Sequence, residues 1–225
     1  MRLAGFLWYT ENMKNDQMTA KKQILSVAKK LYYERGLNSV SFEDIARECN
    51  VTKPLISFHF GNKVKLANAI YASYTGEHQR VFYSKVREID KTYSYYEVMA
   101  AYILTTVKYY EEDAKAFRFY EDFFSGNFKD IAMFLEEEIG VFPQMKIGVD
   151  ERHMKYIGTQ YAARGLIYHY ITGEIACSWE TFAKYFVELS LGPFMNKVTP
   201  EQFLPGALEL MDEIPIVFEP AFIWK

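Results

Sequence analysis

The sequence predicts an all-α protein in which a small three-helix head is joined by a long helix to a larger helical body. Three observations predict it. Apolar residues recur at i, i+3, i+4 and i+7 from about Met18 almost to the end of the chain, which is the spacing of one buried helix face. Residues that favour helix starts, Ser41 and Thr52 among them, stand just before such runs. No stretch shows the alternation of a half-buried strand, and no internal repeat is present.

The first helix is KKQILSVAKKLYYERG, with Ile24, Val27, Ala28 and Leu31 on its apolar stripe and Lys21, Lys22, Lys29 and Lys30 off it; Gly36 stops it. The second, SFEDIAREC, is capped by Ser41 and carries Glu43 and Asp44 in its first turn, where the helix dipole favours anions. Phe42, Ile45, Ala46 and Cys49 then face inward. Asn50 tolerates the left-handed conformation that a sharp turn needs. A third, short helix follows, with Thr52 as its cap and Pro54 in the first turn, where a missing amide proton costs nothing. Ile56 and Phe60 anchor it, leaving Lys53, Leu55, Ser57, Phe58 and His59 at least partly exposed.

Two helices joined by a tight turn, with another packed behind, form a helix-turn-helix, in which the second helix of the pair lies in a DNA major groove. The fourth helix starts at Asn62, and Lys63 and Lys65 lie in its first turn. Cations there are misplaced by about 0.3 to 1 kcal/mol each, a sign that a nearby phosphate reverses.

Past residue 94 the pattern places helices at about 94–112, 114–125, 127–140, 151–172, 178–195 and 201–212, with breaks near 125–127, 142–150, 172–174 and 196–200. The closing IPIVFEPAFIWK reads as an extended strap across the surface. The expected division is a leader at 1–18, a helix-turn-helix domain at 19–65 and a regulatory and dimerisation domain at 66–225.

Charge follows this division. The chain has 225 residues and a net charge of −3, yet residues 1–90 carry 14 Lys and Arg against 9 Asp and Glu, while the rest carry 12 against 20. A basic module on an acidic body suits a polyanion at one end. Cys49 and Cys177 are too few for a disulfide framework or a metal cage and read as buried thiols in a reducing, cytoplasmic compartment. The opening MRLAGFLWY is too short an apolar run for a membrane span and lacks a cleavage site. The four histidines (59, 78, 153 and 169) show no metal-binding spacing, and neither a nucleophile elbow nor a phosphate loop is present, so the sequence reads as neither an enzyme nor a cofactor protein.

The run ILSVAKKLYYERGLNSVSFEDIARECNVTKPLISFHFGNKVKL resembles the amino-terminal DNA-binding domain of the TetR family of bacterial transcriptional regulators. It has the family's order of elements over about residues 19–70: an ILxxAxxLxxxxG helix, SxxDIA, VTK, an FHFxNK end and a long linking helix. It departs at Asn50, where glycine is usual, at Ser57, which replaces a frequent tyrosine, and at Val64 and Lys65, where acidic residues are common. The resemblance implies a cytoplasmic homodimer, a ligand-responsive repressor whose two recognition helices read a pseudopalindromic double-stranded operator. The alternative is a helical regulator controlled by a protein partner, or one acting without an inducer.

Matched onto the motif, Ser41, Thr52, Ser57, His59 and Lys63 are assigned to phosphates, and Lys53 and Leu55 to base edges; Pro54, Phe58 and Lys65 complete the candidate surface. For the body, Gly158, Ala162 and Gly165 align small residues on one helix face. With Phe182, Tyr185, Phe186 and Leu189 they are the candidate dimer interface. Tyr102, Phe117, Tyr120, Phe124, Tyr161 and His169 are the candidates for an inducer pocket that would take an apolar or aromatic molecule.

Overall fold

The computed structural model describes residues 20–126, 149–195 and 198–225. The predicted leader and the predicted helix at 127–140 lie outside the described residues. The head is built from α1 (20–35), α2 (Phe42–Cys49), α3 (Lys53–Phe60) and the start of α4 (Lys63–Val86). The body adds α5 (Tyr95–Glu112), α6 (Ala114–Gly126), α7 (Val149–Ile171), α8 (Trp179–Leu191), a 3-10 turn at Gly192–Phe194, and α9 (Pro200–Glu213). The described residues are thus all-α, as the periodicity predicts, apart from one two-residue hairpin, β1 (Phe218–Glu219) paired antiparallel with β2 (Ile223–Trp224).

Local chemistry explains the head. Ser41 Oγ accepts from the Asp44 amide while the Asp44 carboxylate accepts from the Ser41 amide, a reciprocal cap that satisfies two orphan donors of α2. Asn50 ends α2 in the left-handed region at φ 53°, and Val51 N–H reaches back to the Ala46 carbonyl at 2.9 Å. The chain turns there within three residues. Ile45 of α2 and Ile56 of α3, both fully buried, belong with Ile24 and Ala28 of α1 to one apolar core. Thr52 occupies the cap position of α3 by its backbone, but its hydroxyl makes no cap bond, which corrects the expectation of a side-chain cap. Asn62 supplies that bond for α4 instead, accepting from the Lys65 amide at 2.9 Å.

Head and body share one apolar core that runs along α4. Gly36 ends α1 at φ +85°, where a Cβ would meet the side chains of Arg118 and Asp122 at 3.2 Å. That close approach lets α6 grip the end of α1. The Arg118 guanidinium donates to the carbonyls of Tyr33 and Glu34 at 3.0 Å, Asn38 donates to Asp122 at 2.8 Å, and the Tyr33 hydroxyl donates to Asp113 at 2.9 Å.

The closing segment departs from the expected surface strap. It folds into the hairpin, and Phe222 and Trp224 are buried. Phe222 stacks on Tyr74 of α4 at 4.9 Å and meets Tyr33 of α1 edge-on at 5.3 Å; Trp224 stacks on His78 of α4 at 3.8 Å. Two large aromatic side chains bury too much area to be left on a surface.

Candidate nucleic-acid interface

Helix α3 presents Thr52, Lys53, Pro54 and Phe58 to solvent, with Leu55, Ser57 and His59 half-exposed, while Ile56 and Phe60 fix it from behind. The residues assigned from sequence to base edges therefore share an accessible face with several of those assigned to phosphates. Phe58 is 70% exposed, an unusual position for a phenylalanine on a short, well-anchored helix. No acidic residue lies in the first turn of α3 or of α4, whereas Lys63 and Lys65 stand just beyond the far end of α3.

The electrostatics sort these groups further. Lys53 is ion-paired to Glu43 of α2. The bond holds the Glu43 carboxyl below the usual range. Lys63 is half-buried and donates to the Asn38 carbonyl at 3.3 Å; burial lowers its pKa, with Asp122 and Asp44 opposing. Lys65 is exposed. The Ser41 hydroxyl is engaged by Asp44, whose own pKa is drawn down to about 2, first by the Ser41 hydroxyl, next by the Ser41 amide, with Arg35 and Arg47 adding to it. A phosphate at Ser41 has to replace that carboxylate. His59 Nε2 is shut off from solvent with no hydrogen-bond partner, so this nitrogen is unavailable to a phosphate in the unbound conformation.

In the body, a cavity of about 320 Å³ lies between α4, α5, α7 and α8. Of the six residues expected to line a pocket, Tyr102 and Tyr120 do. The other four are corrected by their surroundings. Phe117 and Phe124 pack among the aromatic rings of α6, while Tyr161 and His169 face outward, His169 against Glu174 at 2.8 Å. Sequence reasoning missed His78 and Trp224, which stack on one another in the cavity wall. No spacing rule joins residues so far apart in the chain.

The small-residue face of α7 is outward. Gly158 and Ala162 are exposed, Gly165 is half-buried, and a Cβ added at either glycine meets nothing within 4 Å. Met154, Ile157 and Tyr168 of α7 and Tyr185 of α8 add exposed apolar area. Leu189 is half-buried, but Phe182 and Phe186 are corrected as interface candidates: both are buried within the protomer, Phe182 stacked on Tyr170 at 3.9 Å.

An amphipathic three-helix unit with a tight left-handed turn and one exposed short helix defines a helix-turn-helix head of the kind that carries a DNA-reading surface. Residues 24–70 match the family of bacterial regulatory proteins, tetR family. Over those residues the head is similar to that family's DNA-binding domain. Over 68 residues the chain is 31% identical to the HTH-type transcriptional regulator TtgR of Pseudomonas putida, and equally to the probable HTH-type transcriptional regulator ArpR of the same species. The match covers 30% of this chain and 32% of each relative, about a third of their length. Solved structures with similarity include a SmeT–triclosan complex, 15% identical with a TM-score of 0.44 over 81% of this chain and 97% of that one. A RolR complex with resorcinol is 17% identical, with a TM-score of 0.42 over 89% of both chains. Among the described residues no helix is long and apolar enough to cross a membrane, and no cluster of side chains could hold a metal ion.

Proposed function

We propose that this chain is a cytoplasmic DNA-binding transcriptional regulator, a repressor that acts as a homodimer on a pseudopalindromic operator and responds to a small molecule held in its helical body. The observation that carries the reading is the exposed face of α3, with Lys63 and Lys65 beside it. Both anchors of that helix, Ile56 and Phe60, are buried, so the face they leave outward is held rigidly. In this reading residues 19–65 are the reading head and residues 66–225 the regulatory and dimerisation domain, with α4 passing from one to the other.

Lys53 and Leu55 read base edges, Lys53 the guanine acceptors and Leu55 the thymine methyl, and Phe58 extends the apolar contact. Thr52, Ser57, Lys63 and Lys65 hold phosphates and set the register. Glu43 competes for Lys53 in the free protein, so a guanine has to displace it. The outward faces of α7 and α8 pair with their copies in a four-helix interface, which fixes the spacing of the two heads. A ligand releases DNA only if it favours another spacing, because equal affinity for both states shifts nothing. Incubating the purified protein with genomic DNA fragments at low ionic strength tests the reading: selective retardation of a few fragments supports it, and retardation of none refutes it.

A further inference from the structure

We propose that Glu43 is a specificity-determining residue: it withholds Lys53 from phosphates and, once a guanine takes Lys53, accepts from the amino group of the cytosine paired with that guanine. This rests on the DNA-binding reading above and names the residue and the base pair that set its selectivity.

Placement carries the argument. Glu43 is the second residue of α2 and Lys53 the first of α3, so their ion pair bridges the two helices of the helix-turn-helix at the start of the exposed one. The side chains are 62% and 54% exposed, and both are open to an approaching duplex. The neighbouring carboxylate is engaged elsewhere: Asp44 accepts from the Ser41 amide and hydroxyl and pairs with Arg47 at 2.5 Å and Arg35 at 3.6 Å. Glu43 has Lys53 instead, whose hydrogen bond, followed by that of its own amide, holds the carboxyl below the usual range. It is a fixed, charged acceptor one hydrogen bond away from the ammonium that reads a base. On a surface that only attracted phosphate, such a carboxylate would repel its ligand.

The exchange of partners separates bases from phosphates. Whatever takes Lys53 from Glu43 leaves a carboxylate at the DNA surface in need of a donor, and a group desolvated there without one is costly. A phosphate supplies no donor and adds a second negative charge beside the first. A G·C pair supplies what both side chains need: guanine O6 and N7 accept from the ammonium, and the cytosine N4 amino group, next to O6 in the major groove, donates to the carboxylate.

An A·T pair fits less well, because adenine places an amino group where guanine has O6 and leaves the ammonium a single purine acceptor, N7. Glu43 therefore lowers affinity for DNA at large while preserving it at a G·C pair. The gap between operator and unrelated DNA widens by that difference, since specificity is a difference of affinities.

The test measures binding of the full chain by fluorescence anisotropy, over a series of salt concentrations, to a fragment the parent retards selectively and to an unrelated duplex of the same length. Glu43→Gln keeps the size and removes the charge; because the pair is exposed, the variant is expected to melt with the parent. It should bind the unrelated duplex about fivefold tighter or more, with log K against log salt steeper by about one unit per protomer as Lys53 takes a phosphate. The ratio of the two affinities falls accordingly, and an unchanged ratio and slope overturn the proposal. The steepening requires Lys53: in Lys53→Gln protein the same change at Glu43 should leave the slope as it was, and an equal steepening there shows plain charge repulsion and overturns the exchange. Glu43→Ala removes the acceptor as well, and should bind the selected fragment about tenfold more weakly than Glu43→Gln does; equal affinity of the two defeats the cytosine contact. A parent that retards no fragment defeats the regulatory reading and this proposal with it, whereas a parent that selects a fragment no better than Glu43→Gln does defeats this proposal alone.

Discussion

Phe58 and Lys63 make the residue-scale case: Phe58 is exposed on α3, and Lys63 stands just beyond the far end of that helix. Phe58 is 70% exposed on α3, so its removal leaves the core intact. Phe58→Ala is expected to leave the melting temperature unchanged while weakening binding to the cognate site by about tenfold, in keeping with a contact of about 1 to 3 kcal/mol. Equilibrium binding by fluorescence anisotropy checks it. Lys63→Ala should weaken binding on every sequence and flatten the dependence of log K on log salt by about one unit per protomer; an unchanged slope removes Lys63 from the phosphate contacts. His78 titrates in the opposite sense from an ion-paired histidine. Its folded pKa of about 3 lies below the ordinary 6.5, so the unfolded chain takes up the proton first, and stability present above 6.5 is lost as pH falls toward 3. Urea unfolding of the parent should show a loss of roughly 1 kcal/mol between about pH 7 and about pH 5.5 that His78→Phe lacks. The residues proposed to face DNA could be picked out of the sequence because they lie within one short motif. His78 is not, since its environment is made by Trp224 and Tyr102, from elements remote in the chain.

At the scale of elements, local signals and long-range packing divide the molecule. The starts of α2, α4, α5 and α8 are readable because Ser41, Asn62, Ser94 and Ser178 each cap their own helix by a bond within three residues. The closing hairpin is not readable, because its short strands depend on the pocket that Tyr74, Tyr109 and Phe119 offer to Phe222 and Trp224. For α7 and α8 periodicity locates the helices but does not say which apolar residues turn inward: Phe182 and Phe186 do, whereas Ile157 and Tyr185 do not. The outward set gives the prediction at this scale. Ile157→Arg places a charge in the proposed four-helix interface without disturbing the protomer core, and light scattering after gel filtration should show a monomer where the parent is a dimer. A dimer that persists at micromolar concentration places the interface elsewhere.

Across the whole molecule, the head is not a bead on a string. Arg118, Asp122 and Asp113 of the α6 region grip the end of α1, and α6 also sends Tyr120 to the cavity. The hairpin makes a second connection, through Phe222 to Tyr33 and through Trp224 to His78. A body coupled to its head by two routes suits a protein that converts occupancy of a cavity into a change in head spacing. That conversion is relevant only if α3 enters DNA. The most direct measurement compares the parent with Ser57→Glu, which adds a negative charge to the outward face of α3 without touching Ile56 or Phe60, in binding to a retarded genomic fragment at low salt. Retention of the fold by circular dichroism together with loss of DNA binding is the predicted result; a Ser57→Glu protein that binds the fragment as tightly as the parent would contradict the account.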